Sequence, residues 1–105
     1  MITFKQPYFI TPHAIDRFQQ RIEELPAKAI ILIIQLLLQK RTNLLEFDVK
    51  DGKIRELYRK EYENKPLYIP VIHDKNRKWP VVPTVMGKHS VVHGRYIRGE
   101  YDEAI

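Results

Sequence analysis

The sequence predicts an α+β fold in a single domain spanning residues 1–105: two N-terminal helices packed on an antiparallel sheet of three to five strands. Two observations carry this. Apolar residues recur at helical spacing up to about residue 40, then alternate with polar ones after Asn43. Start and turn signals fall where such a chain needs them, with Thr11-Pro12 and Pro26 ahead of the helical stretches and Asp51-Gly52 between two alternating ones.

Residues 1–10 read as extended, with Phe4, Tyr8, Phe9 and Ile10 as their apolar content. Thr11 can cap free backbone N–H groups, and Pro12 suits the first helical position. Ala14, Phe18 and Ile22 then repeat every four residues, which predicts a core-facing helix to about Ile22. Pro26 opens a second helix to about Lys40, which Lys40 and Arg41 are placed to close against the helix dipole. Eight large aliphatic residues between Ile30 and Leu38 make it apolar nearly all round. Such a helix is covered on both sides or sits in a subunit interface, so a homo-oligomer through residues 26–40 is expected.

Beyond Asn43, Leu45, Phe47 and Val49 alternate with Glu46, Asp48 and Lys50, the pattern of a half-buried strand. Asp51-Gly52 is a hairpin turn, and Ile54 to Tyr62 forms the answering strand, with Tyr58 and Tyr62 on one face and Arg59 on the other. Lys65-Pro66 breaks it. Leu67 to Ile72 gives a third strand, Asp74 to Lys78 a polar turn, Trp79 to Met86 a fourth strand and Val91 to Ile97 a fifth. Proline cannot donate to a ladder, so Pro70, Pro80 and Pro83 imply edges or bulges.

Composition narrows the function classes. A hydrophobic fraction of 44% is that of a globular protein rather than a disordered tail. The absence of cysteine rules out a disulfide framework and a thiolate zinc site, and a cytoplasmic location is expected. Met1 to Pro7 lacks the basic start and apolar run of a signal peptide. The longest apolar stretch, Ala29 to Leu38, is far shorter than the roughly 20 residues that cross a bilayer, so no membrane association is expected. The net charge of +5 favours a polyanionic partner.

The first helix carries the residues that read as chemistry. His13, Arg17 and Arg21 lie four residues apart and form one row beside the apolar stripe. Two guanidinium groups at that spacing repel each other, and an anion between them removes the repulsion; their forked donors match phosphate oxygens. His13 adds an imidazole able to act as a general base. The plainer reading pairs Arg21 with Glu24 and Arg17 with an acid on the sheet, leaving His13 an ordinary first-turn residue. A second cluster, His73, Asp74, Lys75, Arg77 and Lys78, surrounds the polar turn, where Trp79 either stacks on a base or enters the core. With Arg59, the cations Lys75, Arg77 and Lys78 make up the candidate nucleic-acid contacts. His89 and His93 have a metal-binding spacing, yet Val91-Val92 and Gly94 oppose a helix there, so no metal site is expected. No glycine-rich phosphate loop, Ser/His/Asp pattern or paired carboxylates occur, and no cofactor is expected.

The stretch from Ile10 to Ile22, with Thr11, then His13-Ala14, then Arg17 and Arg21, resembles the opening of the DUF4258 family. Lys65-Pro66-Leu67-Tyr68-Ile69 and Trp79-Pro80-Val81-Val82-Pro83-Thr84-Val85 resemble its paired strands, so the likeness covers roughly residues 9–87. It implies a fold similar to the small RelE and BrnT toxins, which cut RNA without a metal. On that analogy His13, Arg17 and Arg21 are the catalytic positions, and an antitoxin or other acidic protein is a partner. Pro70, Pro83 and the tail after Gly87 depart from the family pattern.

Three functional readings follow. The first is a small RNA-directed, ribonuclease-like toxin in which His13 moves a proton while Arg17 and Arg21 stabilise the phosphorane. The second is a non-enzymatic module, phage- or mobile-element-encoded, that binds nucleic acid or protein through the same cations. The third is a structural homo-oligomer built on the second helix. Geometry discriminates them, since catalysis needs His13 beside a second proton-transfer group in a concave site.

Overall fold

The structure is a computed structural model and describes residues 7–40 and 42–87. The chain runs β1 (Phe9–Ile10), α1 (Pro12–Arg21), α2 (Ala27–Leu38), β2 (Leu44–Lys50), β3 (Lys53–Tyr62), β4 (Lys65–Asp74) and β5 (Val81–Val82). The strands form one sheet in the order β1-β5-β4-β3-β2. The α+β class follows the sequence, but the sheet is mixed rather than antiparallel. Phe9 and Ile10 pair in parallel with Val81 and Val82, while the other pairings are antiparallel. Residues 91–97, expected as a strand, lie outside the described residues, as do Arg41, His89 and His93.

Thr11 explains how β1 passes into α1. Its backbone N–H extends the parallel pairing by donating to the Val82 carbonyl at 3.2 Å. Its hydroxyl donates to the Pro83 carbonyl at 2.9 Å and accepts from the Ala14 N–H at 3.1 Å, capping the helix. Ala14 and Phe18 then face the sheet, fully buried.

In α2, Ile30, Ile34, Gln35 and Leu38 are buried, while Leu32 and Leu36 stay exposed. Gln35 breaks the apolar run for a structural reason. Its carboxamide accepts from the Tyr8 N–H at 3.2 Å and donates to the Tyr8 carbonyl at 2.9 Å, acting as a one-residue strand for the chain beside it. A cation from the sheet secures the chain just past this helix. Lys60, reaching up from β3, donates through Nζ to the Lys40 carbonyl at 2.6 Å and the Thr42 carbonyl at 2.9 Å. Burial, then the nearby Lys40 charge, lowers its pKa.

Asp51 and Gly52 both have positive φ, 54° and 74°, as a two-residue hairpin turn of the mirror-image type requires. The β3–β4 turn is Glu63-Asn64, with φ of 50° and 64°, rather than Lys65-Pro66. Pro66 and Pro70 therefore lie inside β4. Pro70 is tolerated because of a bulge. From the Ile72–Val81 pair to the Tyr68–Met86 bridge, β4 advances four residues (72 − 68) and its partner five (86 − 81), with Pro83 in the longer arm.

The main core lies between the helices and one sheet face: Ala14, Phe18, Ile30, Ile34 and Leu38 pack over Tyr58, Leu67, Ile69, Val71 and Val82. Leu57, Ile72 and Met86, with Tyr68 against them, form a smaller cluster on the other face. No helix among the described residues is long and apolar enough to cross a membrane. One expectation is overturned: β2 is not half-buried. A bulge at Leu45 resets its register, since Leu44 pairs with Tyr58 and Glu46 with Leu57. Phe47 and Val49 then share the helix-side face but remain 55% and 62% exposed. The core contains no β2 residue, because the helices do not extend over that edge.

Candidate nucleic-acid interface

The row on α1 forms as its spacing requires, but its members divide. Arg17 Nε donates to His13 Nε2 at 3.3 Å. Arg17 also reaches Gln20 Oε1 at 3.2 Å. Arg21 donates to the Val85 carbonyl at 3.1 Å and thereby fixes the irregular chain that follows β5. His13 and Arg17 thus make one unit, with Arg21 engaged on backbone. A pocket of about 350 Å³ opens elsewhere, between the end of α2 and β3, where Leu36, Lys40, Asn43, Arg59 and Lys60 line it; the α1 row does not.

The β4–β5 turn gathers three of the four predicted nucleic-acid contacts. The Asp74 side chain accepts from the Asn76 N–H at 2.9 Å, and the Asp74 carbonyl accepts from the Arg77 N–H at 3.0 Å. These bonds set a tight turn that presents Lys75, Arg77 and Lys78 to solvent. Trp79 follows them and is 43% exposed, outside the core, with Lys78 Nζ 4.9 Å from its ring centroid. The next residue, Pro80, accepts from the Phe9 N–H at 2.8 Å, so β1 brings a second exposed aromatic side chain to the same corner.

Arg59 stands apart from that turn. It pairs in register with Tyr68, six residues and hence about 20 Å along β4 from Asp74. Its guanidinium pKa is raised, chiefly by a hydrogen bond with Tyr68 and then by Glu61, which it meets at 2.8 Å.

His73 departs from its sequence neighbours. Its register partner is Ile54, and its Nε2 lies 2.5 Å from Oε1 of the buried Glu56, away from the turn cations. Sequence reasoning missed this pair because only the β3–β4 register brings the two together. It also missed Tyr62, whose hydroxyl donates to Glu23 Oε2 at 2.6 Å. That bond, more than burial, pushes the phenol pKa up to about 12. Among the described residues no group of three or more histidines and carboxylates is placed to hold a metal ion. The chain matches no family model, no curated protein and no solved structure.

Proposed function

We propose that the protein binds RNA through the β4–β5 turn and its neighbouring aromatics. The observation that carries this reading is an exposed Trp79 beside Lys75, Arg77 and Lys78, with Lys78 over its ring. Basic side chains follow a phosphate backbone, and an aromatic face stacks on a base at about 1–3 kcal/mol per base. Arg59, on its own part of the sheet and engaged by Glu61, is a weaker contact in this reading.

Trp79 is the single tryptophan, so emission excited at wavelengths that tyrosine does not absorb reports on this corner alone. Single-stranded oligoribonucleotide should quench that emission, with affinity falling as salt rises. Changing Lys75, Arg77 and Lys78 to Ala should each lower the salt slope by about 0.7. An unquenched Trp79 at low salt, or a slope that ignores all three changes, would remove the reading.

The contact of Arg17 with His13 Nε2 favours a second reading, metal-independent cleavage of the bound RNA. His13 Nε2 then exchanges Arg17 for the attacking 2′-hydroxyl and takes its proton, Arg17 turns to the phosphorane, the P–O5′ bond breaks and water protonates the leaving 5′-oxygen, while Arg21 stays on the Val85 carbonyl. His13→Ala should slow cleavage of a mixed RNA pool, assayed with chelator, by about 10²–10⁴-fold while sparing binding. Binding without cleavage by wild-type protein would leave a non-enzymatic module.

A further inference from the structure

The edge strand β2 is built in an unusual way. Among the described residues it is the last strand of the sheet on its side. Natural sheets blunt such an edge with charge, proline or a cover, because unpaired N–H and C=O groups invite another strand. Here one face of the edge carries exposed apolar side chains: Leu44, Phe47 and Val49, with Leu45 at the bulge and Ile54 of β3 beside them. Val49 faces Ile54 in register, and Phe47 is two residues from Val49 on the same face, so these three form one continuous strip. The alternate residues Glu46, Asp48 and Lys50 carry charge on the opposite face.

We propose that β2 pairs antiparallel with β2 of a second copy of this chain, about a twofold axis at Asp48, so that the two sheets become one.

The backbone limits the possible registers. Asp51-Gly52 is a two-residue turn, so Lys50 and Lys53 exchange both backbone hydrogen bonds. The N–H and C=O groups of Lys50, Asp48 and Glu46 consequently aim at β3, and those of Val49 and Phe47 aim outward. Two copies must set outward residues against outward ones, which centres the axis on Phe47, Asp48 or Val49. An axis at Phe47 places Glu46 opposite the partner's Asp48, twice, and like charges directly opposite oppose pairing. An axis at Val49 places Phe47 against the partner's Asp51 in the turn and shortens the ladder. An axis at Asp48 places Phe47 against the partner's Val49 and Glu46 against the partner's Lys50, each twice by symmetry. Asp48 then faces its own copy, one like-charge pair against two at the Phe47 axis, and Arg55 holds its carboxylate through two contacts of 2.8 and 3.0 Å.

Exposed ion pairs contribute little, so the charges choose the register while Phe47, Val49 and Ile54 supply the affinity. This places the contact between copies on β2. On α2, the seam expected from its composition, Leu32 and Leu36 are the exposed large aliphatics.

Sedimentation equilibrium of the full chain, from low to high micromolar concentration, tests the proposal. Wild type should form a dimer. Val49→Lys should raise its dissociation constant at least about tenfold, with unchanged circular dichroism, since the residue is exposed. Leu32→Lys should leave the constant unchanged. Glu46→Lys and Lys50→Glu should each weaken the dimer a few-fold, and the double variant should restore it. A monomer at every concentration, or a dimer that tolerates Val49→Lys but not Leu32→Lys, would overturn the proposal. Charge reversals without effect, or a double variant that stays weak, would overturn the Asp48 register.

Discussion

Tyr58 and Phe47 stand on neighbouring strands and point to the same side of the sheet, yet Tyr58 is 2% exposed and Phe47 55%. The difference lies in what is above them. The core that holds Tyr58 also holds Phe18, Ile30 and Ile34 of the helices, and among the described residues no β2 residue. Alternation along a strand therefore encodes which face a residue takes, whereas burial depends on how far a second layer reaches across the sheet. The covered half behaves as a folded core. The β2 half carries a core-like pattern without a core.

The sharpest way to break this comparison is to truncate one aromatic residue in each half. Phe18→Ala should cost about 3–5 kcal/mol in urea unfolding, because the site is fully enclosed and leaves a cavity. Phe47→Ala, measured at dilution where copies are apart, should stay within about 0.5 kcal/mol of wild type, as an exposed position does. Comparable losses would mean that the edge is covered within one chain after all.

A smaller effect tests the rim of the covered half. Gln35 is the one polar residue in the apolar run from Ala29 to Leu38, and it satisfies both backbone groups of Tyr8. Gln35→Leu suits the helix and the core in composition but removes both bonds. An unsatisfied buried backbone group costs about 1–3 kcal/mol, so the variant should lose about 2 kcal/mol and release amide protection at Tyr8 first. A stabilised Gln35→Leu would show that hydrophobic burial, not the Tyr8 bridge, governs this position.

Much of the covered half was legible in the sequence, for reasons local to it. The Thr11 cap, the spacing of Ala14 and Phe18, and the Asp51-Gly52 turn each act within a few residues, and the prolines near β5 announced a bulge. The rest depended on distance along the chain. The parallel β1–β5 pairing joins two-residue strands 71 or more residues apart. In the Glu63-Asn64 turn Asn64 suits a positive φ, but Glu63 carries no such signal, and the long β3–β4 register continues up to both. Lys60 reaches the carbonyls that follow α2 only once β3 lies beside them. The site divides in the same way. His13 and Arg17 meet because four residues is one helical step, and Lys75 to Lys78 share one turn. The attachment of Arg21 to Val85 and the pairing of His73 with Glu56 needed tertiary structure.

Tyr62 offers the finest test, because it sits where the covered half meets the helix ends. Its ring lies edge-on to Phe18, with centroids 5.6 Å apart, and its hydroxyl donates to Glu23. The folded phenol has its pKa pushed to about 12, against 10.0 as the ordinary value. Below pH 10 the phenol is neutral in both the folded and unfolded chains, and its contribution does not vary with pH. Between about 10 and 12 the unfolded chain gives up this proton while the folded chain keeps it, so stability falls as pH rises. Tyr62→Phe keeps the contact with Phe18 and has no proton to lose, so its alkaline stability curve should be flatter than that of wild type. Glu23→Gln should flatten it too, because the carboxylate is the first cause of the shift. The chain holds six tyrosines, so the readout is the difference between wild type and variant in chemical unfolding across that window, not the wild-type slope alone. Parallel curves for wild type and both variants would detach Tyr62 from Glu23, and with it the link between β3 and the end of α1.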